Sequence, residues 1–170
     1  ETSNKIKLNK IKVGENIASV DIYSSGKKIS LNKKFDIYSN VKPELMTYEI
    51  IEEFPHDKDA YTQGLEFYNN ILYESTGLNG KSSIRKINFI NGEILDKINL
   101  DYEYFGEGLT VLNDKVYQLT WKNKIGFIYD LDLNKTGIFN YKNSKEGWGL
   151  CNDGEYIYMS DGTSKIWKLN

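Results

Sequence analysis

The sequence is poor in the residues that usually staple, kink or anchor a chain: its 170 residues include one cysteine, one histidine, two prolines and two methionines. A lone Cys151 excludes an intrachain disulfide and leaves no thiol cluster for zinc, and His56 has no second histidine with which to share a metal. No cofactor is expected, and the fold has to be held by its core alone. An excess of one charge sign is also lacking, because 22 basic and 24 acidic residues give a net charge of -2. That balance offers no electrostatic footprint for nucleic acid or a membrane surface. No stretch approaches the roughly eighteen consecutive apolar residues of a membrane span. The chain begins at Glu1 without a methionine, which suits a protein whose leader has been removed, and Thr2 to Lys12 read as a solvated, weakly ordered lead-in.

What is abundant is aromatic. Phe, Trp and Tyr make up 14% of the residues, with thirteen tyrosines, and rings favour the pleated, half-buried surface of a β-sheet. With 39% hydrophobic residues, the length suits one packed domain, or one domain with a small appendage.

The strongest signal is an internal repeat. Gln63-Gly64-Leu65, Glu107-Gly108-Leu109 and Trp148-Gly149-Leu150 begin 44 and 41 residues apart. Nine residues after each glycine stands a tyrosine preceded by an aliphatic residue, in Leu72-Tyr73, Val116-Tyr117 and Ile157-Tyr158. Between these anchors lie Asn69-Asn70, Asn113-Asp114 and Asn152-Asp153-Gly154, whose side chains tolerate left-handed backbone, so each copy opens with a hairpin. Third strands follow at Ser83 to Ile87, Gly126 to Asp130 and Lys165 to Leu169. Second turns at Ile90 to Glu93 and Leu133 to Gly137 lead to a fourth strand such as Ile94 to Leu100.

Four short antiparallel strands per repeat of this length describe a blade of a β-propeller, a sheet that must pack against its neighbours around an axis. An immunoglobulin-like sandwich would not repeat so regularly, and its Cys and Trp spacing is missing. The expectation is therefore an all-β chain of about three blades over residues 48–170, with residues 1–47 as an N-terminal β or extended appendage. Within that appendage Ile17 to Tyr23, Lys28 to Leu31 and Lys34 to Tyr38 read as strands around Ser24-Ser25-Gly26, while Tyr48 to Phe54 reads as a strand leading into the first blade. Propellers typically have about four to eight blades, so three do not close a ring. The remainder is missing, supplied by another chain, or replaced by assembly with a second copy.

An equivalent position at the start of each blade's first strand projects toward a shared mouth. Here it holds Gln63, Glu107 and Trp148, flanked by Gly64, Gly106, Gly108, Gly147 and Gly149. An amide, a carboxylate and an indole converging on one pocket suit a small polar ligand. Structural alternatives stay open: Glu107 as an acceptor for turn N–H groups, Gln63 likewise, and Trp121 and Trp148 as blade packing. His56 reads as a turn or capped-loop residue and Cys151 as a small buried apolar residue. Asp130, Asp132 and Asn134 start like a calcium loop, but Lys135 stands where glycine is required, so they read as a hairpin turn.

Taken in order, Phe54-Pro55-His56-Asp57, Tyr61-Thr62-Gln63-Gly64-Leu65, Leu72 to Gly77, Ser82 to Arg85, Phe105-Gly106-Glu107-Gly108-Leu109-Thr110, Gln118 to Lys122 and Glu146-Gly147-Trp148-Gly149-Leu150 resemble the glutaminyl cyclotransferases of the plant and bacterial type. The resemblance covers residues 48 to 170. It implies a five-bladed propeller enzyme, an acyltransferase that cyclises an N-terminal glutamine of a peptide or protein to pyroglutamate and releases ammonia. It also implies site residues: Glu107 as general acid and base, with Gln63, Tyr61 (where phenylalanine is usual), Phe105, Trp121 and Trp148 binding substrate. Further site residues of that family, an asparagine and a lysine among them, belong to blades this chain does not contain. An extracytoplasmic, bacterial setting follows from the resemblance and the missing start methionine. The rival expectations are a non-catalytic binding propeller or an inactive truncated relative.

Overall fold

The computed structural model describes residues 11–141 and 143–169, so most of the lead-in Thr2 to Lys12 and the terminal Asn170 lie outside the described residues. The chain divides into two compact units, Glu1–Glu49 and Ile50–Asn170. Among the described residues all regular structure is β, and no helix is long and apolar enough to cross a membrane.

The first unit carries one hairpin, β1 (Gly14–Ser24) with β2 (Lys27–Ile37), paired from Gly14↔Ile37 to Ser24↔Lys27. Ser25 and Gly26 both have positive φ, at 49° and 76°. That is the two-residue turn whose twist matches the flanking strands. Lys28 to Leu31 and Lys34 to Tyr38 are thus not two strands: one continuous ladder runs through Asn32 and Lys33 and stops at Ile37.

The second unit consists of three antiparallel sheets in succession. The first has the order β3 (Thr62–Tyr68), β4 (Ile71–Thr76), β5 (Ser83–Asn88), β6 (Glu93–Asn99). The second repeats it with β7 (Gly106–Leu112), β8 (Lys115–Thr120), β9 (Ile125–Tyr129) and β10 (Lys135–Asn140), and the third contains β11 (Leu150–Asn152), β12 (Ile157–Ser160) and β13 (Ile166–Leu169). The opening hairpins turn where the Asn and Asp pairs stand: Asn69 and Asn70 have φ of 48° and 62°, Asn113 and Asp114 of 51° and 56°. Short polar side chains occupy this region at lower cost than others.

Apolar residues of successive sheets meet face to face. Tyr73 and Ile84 of the first sheet pack with Leu109, Val111, Val116, Phe127 and Tyr129 of the second. Leu119 of the second packs with Met159 of the third, with Phe139, Leu150 and Trp167 around them. Burial of this kind contributes about 25 cal/mol per Å² and is the main force joining the sheets.

The first strands of the three sheets run side by side, and glycine makes this possible. A Cβ on Gly64 would sit 2.6 Å from the Leu109 nitrogen, and one on Gly108 would sit 2.6 Å from both the Leu150 nitrogen and the Trp148 carbonyl oxygen. Gly108 N–H donates to that carbonyl at 2.7 Å. At the other end, Glu66 of β3 accepts from Thr110 Oγ1 at 2.7 Å and Val111 N–H at 3.0 Å, while Asn152 Nδ2 donates to Thr110 Oγ1 at 2.8 Å. Three polar side chains therefore stitch β3, β7 and β11 together.

Four local expectations are corrected. Tyr48 to Phe54 forms no strand; Tyr48 and Ile51 are 89% and 93% exposed, because no edge among the described residues pairs with them. The second turn of the second copy is earlier than Leu133 to Gly137: Asp130 accepts from Asp132 N–H, Asn134 N–H and Asn134 Nδ2, so the chain reverses over 130–134 and β10 already begins at Lys135. Cys151 is exposed, since alternation along β11 turns Leu150 and Asn152 inward and Cys151 outward. His56 is more than a turn residue: its Nε2 lies 2.9 Å from Oε1 of the fully buried Glu74.

Candidate active site

Two of the expected site residues are presented by irregularities in the ladders. Between β3 and β4 the register passes from Thr62↔Thr76 to Gly64↔Ser75, leaving Gln63 as a surplus residue. Between β7 and β8 it passes from Gly106↔Thr120 to Leu109↔Gln118, and Glu107 stands in that interruption. Bulges of this kind bend a strand and re-aim the side chain they carry.

The walls come from residues just outside the strands. Tyr61 and Phe105 precede Gln63 and Glu107 by two positions, and each has its carbonyl tied across the sheet: Gly77 N–H donates to Tyr61 O at 2.7 Å and Trp121 N–H to Phe105 O at 2.9 Å. Where the second sheet has Trp121 the first has Gly77, and a Cβ there would collide with the Phe105 ring. The rings pack edge to face, with centroids 6.2 Å apart for Tyr61 and Phe105 and 5.6 Å for Phe105 and Trp121. Such pairs prefer this geometry because ring edges are positive and faces negative.

Together these residues enclose an open cleft of about 490 Å³, lined by Tyr61, Gln63, Phe105, Glu107, Trp121, Trp148, Gly149 and Ser160. All six residues singled out from the sequence border it. Ser160 is a lining residue the sequence did not reveal; its hydroxyl accepts from Gly149 N–H at 2.9 Å.

Glu146 is the second omission. Both Trp121 Nε1 and Trp148 Nε1 donate to its Oε2, at 2.8 and 2.9 Å. A signal was present: aligning the three repeats puts Glu146 where Tyr61 and Phe105 stand, and Trp148 where Gln63 and Glu107 stand, so ring and polar group exchange places in the third copy.

The electrostatics follow from this layout. Burial, and secondarily the charge of Glu146, push the Glu107 carboxyl from its ordinary 4.5 up to about 7. Hydrogen bonds from Trp148 and then Trp121 hold Glu146 below its ordinary range, with Lys122 acting in the same sense. Two neighbouring carboxyls driven apart in this way mark Glu107 as a proton carrier near neutral pH and Glu146, bonded to two wall indoles, as a fixed anion. Among the described residues there is no group of three or more His, Cys, Asp or Glu able to hold a metal ion.

An all-β chain of consecutive antiparallel sheets, with a titratable carboxyl in an aromatic cleft at one end, has the organisation of a small-molecule or peptide-end site rather than of a macromolecular groove. Comparison with known proteins makes this specific. The family model described as glutamine cyclotransferase matches residues 22–170, and the chain belongs to that family. The match begins within β1, earlier than the resemblance read from the motifs. A glutaminyl-peptide cyclotransferase of Arabidopsis thaliana is 48% identical over 126 residues, covering 72% of this chain and 38% of the relative. A crystal structure of Myxococcus xanthus glutaminyl cyclase is similar with a TM-score of 0.63 and 30% identity, over 71% of this chain and 50% of that one. The chain thus spans well under half the length of the curated relative it matches.

Proposed function

We propose that this chain forms part of a β-propeller that cyclises the N-terminal glutamine of a peptide or protein to pyroglutamate, with Glu107 carrying the proton. The observation that carries the reading is the Glu107 carboxyl, driven to about 7 inside an aromatic-walled cleft.

The reaction is intramolecular. The substrate's α-amine attacks its own γ-amide carbon, a C–N bond forms, and the bond to the amide nitrogen breaks with release of ammonia. Its main demands are a bent substrate and the transfer of one proton from the attacking to the leaving nitrogen. A free α-amine titrates near 7.7 to 8.0, so a useful neutral fraction exists at neutral pH. Glu107 takes the proton from the amine and returns it to the departing nitrogen. Tyr61, Phe105, Trp121 and Trp148 hold the side chain folded and exclude water, and Gln63 hydrogen-bonds the amide or its developing oxyanion.

The radial arrangement is supported by the face-to-face order of the sheets and the side-by-side first strands. Leu65 and Phe67 on β3 are 52% and 58% exposed, as expected of a face that a further sheet covers. The remaining sheets belong to additional sequence, to another chain or to a second copy, and the mass and composition of the protein in solution distinguish these. Residues 1–47 are an appendage to the propeller at 48–170, and the setting is extracytoplasmic and bacterial, which fractionation of the native cell checks. Incubation of the whole protein, with its remaining sheets in place, with a Gln-initiated peptide should yield a product lighter by one ammonia; binding by that whole protein without the loss would make it a binding module instead.

A further inference from the structure

We infer that Glu146 is a positioning residue of the cleft: one carboxylate oxygen fixes the indoles of Trp121 and Trp148 together and sets a permanent negative charge beside Glu107. Its bearing on turnover rests on the cyclisation reading, whereas its structural role does not.

The geometry is that of a clamp. Trp121 follows β8 in the second sheet and Trp148 precedes β11 in the third, and both indole N–H groups end on Glu146 Oε2. An indole N–H has no second use for its proton, so a shared acceptor fixes how far apart the two rings stand and how each is tilted toward the cleft.

The segment that carries Glu146 is itself held on both sides. Gly147 N–H donates to Trp121 O at 2.8 Å and Trp148 N–H to Ser160 O at 3.0 Å. The Ser144 hydroxyl lies 2.7 Å from Glu146 O and 2.8 Å from Asp161 Oδ2, and the Asp161 carboxylate also accepts from Thr163 and Trp167. A carboxylate on a segment so tied cannot follow a displaced ring; the rings follow it.

The charged and titratable groups around the clamp come from every strand end that meets there. Glu107 projects from β7, Tyr141 follows β10, Asp161 follows β12, and Lys122 places Nζ 3.7 Å from the centroid of Trp121. Lys122 partly offsets the anion, Asp161 adds to it, and Tyr141 feels both glutamates. Removing the charge of Glu146 while keeping its shape therefore relieves Glu107 of a repulsion and leaves the other groups in place.

The test uses the full chain labelled with ¹⁵N and with ¹³C in its carboxyl groups. It contains three tryptophans, and the third, Trp167, donates to Asp161 at 2.6 Å and serves as an internal control. Glu146→Ala should move the indole N–H resonances of Trp121 and Trp148 together while that of Trp167 stays in place, and Glu146→Gln, which keeps an acceptor, should restore most of the native positions. Glu146→Gln should also move the midpoint of the Glu107 carboxyl titration downward from about 7. In turnover, Glu146→Ala should lose about 10²-fold, the cost of misplacing groups around the reacting atoms, and Glu146→Gln should recover part of it. Independent movement of the two indoles, equal movement of Trp167, or an unchanged Glu107 midpoint in a folded Glu146→Gln protein would each overturn the assignment. If the alanine variant does not fold, the glutamine variant decides through that midpoint. Absence of ammonia release by the whole protein, remaining sheets included, counts against cyclisation alone, because the indole and carboxyl signals are read without substrate.

Discussion

Glu107 in the cleft and Glu146 behind two of its wall indoles are pushed in opposite directions, the first up to about 7 by burial and by its neighbour's charge, the second down by the two indole N–H donors. The pair fixes both what the cleft can do and when it can do it.

Glu107→Gln should cut turnover about 10²- to 10⁴-fold, the usual contribution of a positioned acid and base. The same variant should be more stable than the native protein above neutral pH. A carboxyl whose folded pKa is raised from 4.5 to about 7 binds its proton more tightly when folded, so its contribution is fully present below 4.5 and is lost as pH rises through 7. The upper bound is about 3 kcal/mol, reduced to about 1–2 because the group is partly open to water. Denaturant melts of both proteins at pH 5 and pH 8 check this: the gap should appear only at the higher pH.

The rate itself should rise with pH along a limb centred near 7, as Glu107 ionises and as the substrate amine loses its proton at about 7.7 to 8.0. In Glu107→Gln the limb near 7 should vanish and only the substrate's own titration should remain. A kcat/KM profile of both proteins with one Gln-initiated peptide reads the difference.

A peptide beginning with glutamate should be a poor substrate, and increasingly so above neutral pH. Its γ-carboxylate would enter a cleft near the Glu146 anion and, above about 7, beside an ionised Glu107. Like charges brought together out of water cost several kcal/mol. The ratio of kcat/KM for Gln- and Glu-initiated peptides should widen between pH 6 and pH 8.

Gly77→Ala tests the wall. The added methyl would overlap the Phe105 ring, with the Gln63 side chain 3.1 Å away, so the ring must turn into the cleft. KM should rise about tenfold or more while the melting curve changes little, since the space lost is in the cleft and not the core.

Glu74→Ala should be costly in a different way. Glu74 is fully buried, accepts from Thr62 Oγ1 at 2.6 Å, lies 2.9 Å from His56 Nε2, and sits 3.6 Å from Arg85, which also pairs with Asp57 at 2.8 Å. Removing it leaves Thr62 Oγ1 and His56 Nε2 without their buried partner and Arg85 with Asp57 alone, a loss of about 1–3 kcal/mol. The midpoint of chemical unfolding should fall, and the segment 54–57 should become the first point of proteolytic cleavage.

The sequence disclosed what is local and repeated. Asn69-Asn70 and Asn113-Asp114 announce their turns because those side chains suit positive φ, and the glycine-to-tyrosine spacing announces the hairpins. It also disclosed six of the eight residues that line the cleft, because they recur at equivalent places in the copies or in the family motifs. It misled where a neighbour decides. Tyr48 to Phe54 has strand composition but no edge to join among the described residues, and Cys151 lies on the outward side of a three-residue strand whose phase composition does not reveal. Glu146 and Glu74 escaped because their importance comes from partners up to 25 residues away, two indoles in one case and His56, Thr62 and Arg85 in the other.

The bulges under Gln63 and Glu107 separate chemistry from architecture. A residue that is surplus to a ladder contributes no pairing the sheet depends on, so its side chain can be exchanged while the surrounding register from Gly64↔Ser75 and Leu109↔Gln118 onward persists. Each of these two sheets thus offers one exchangeable position above an unbroken ladder, and reactivity can be rewritten there without rebuilding the sheet.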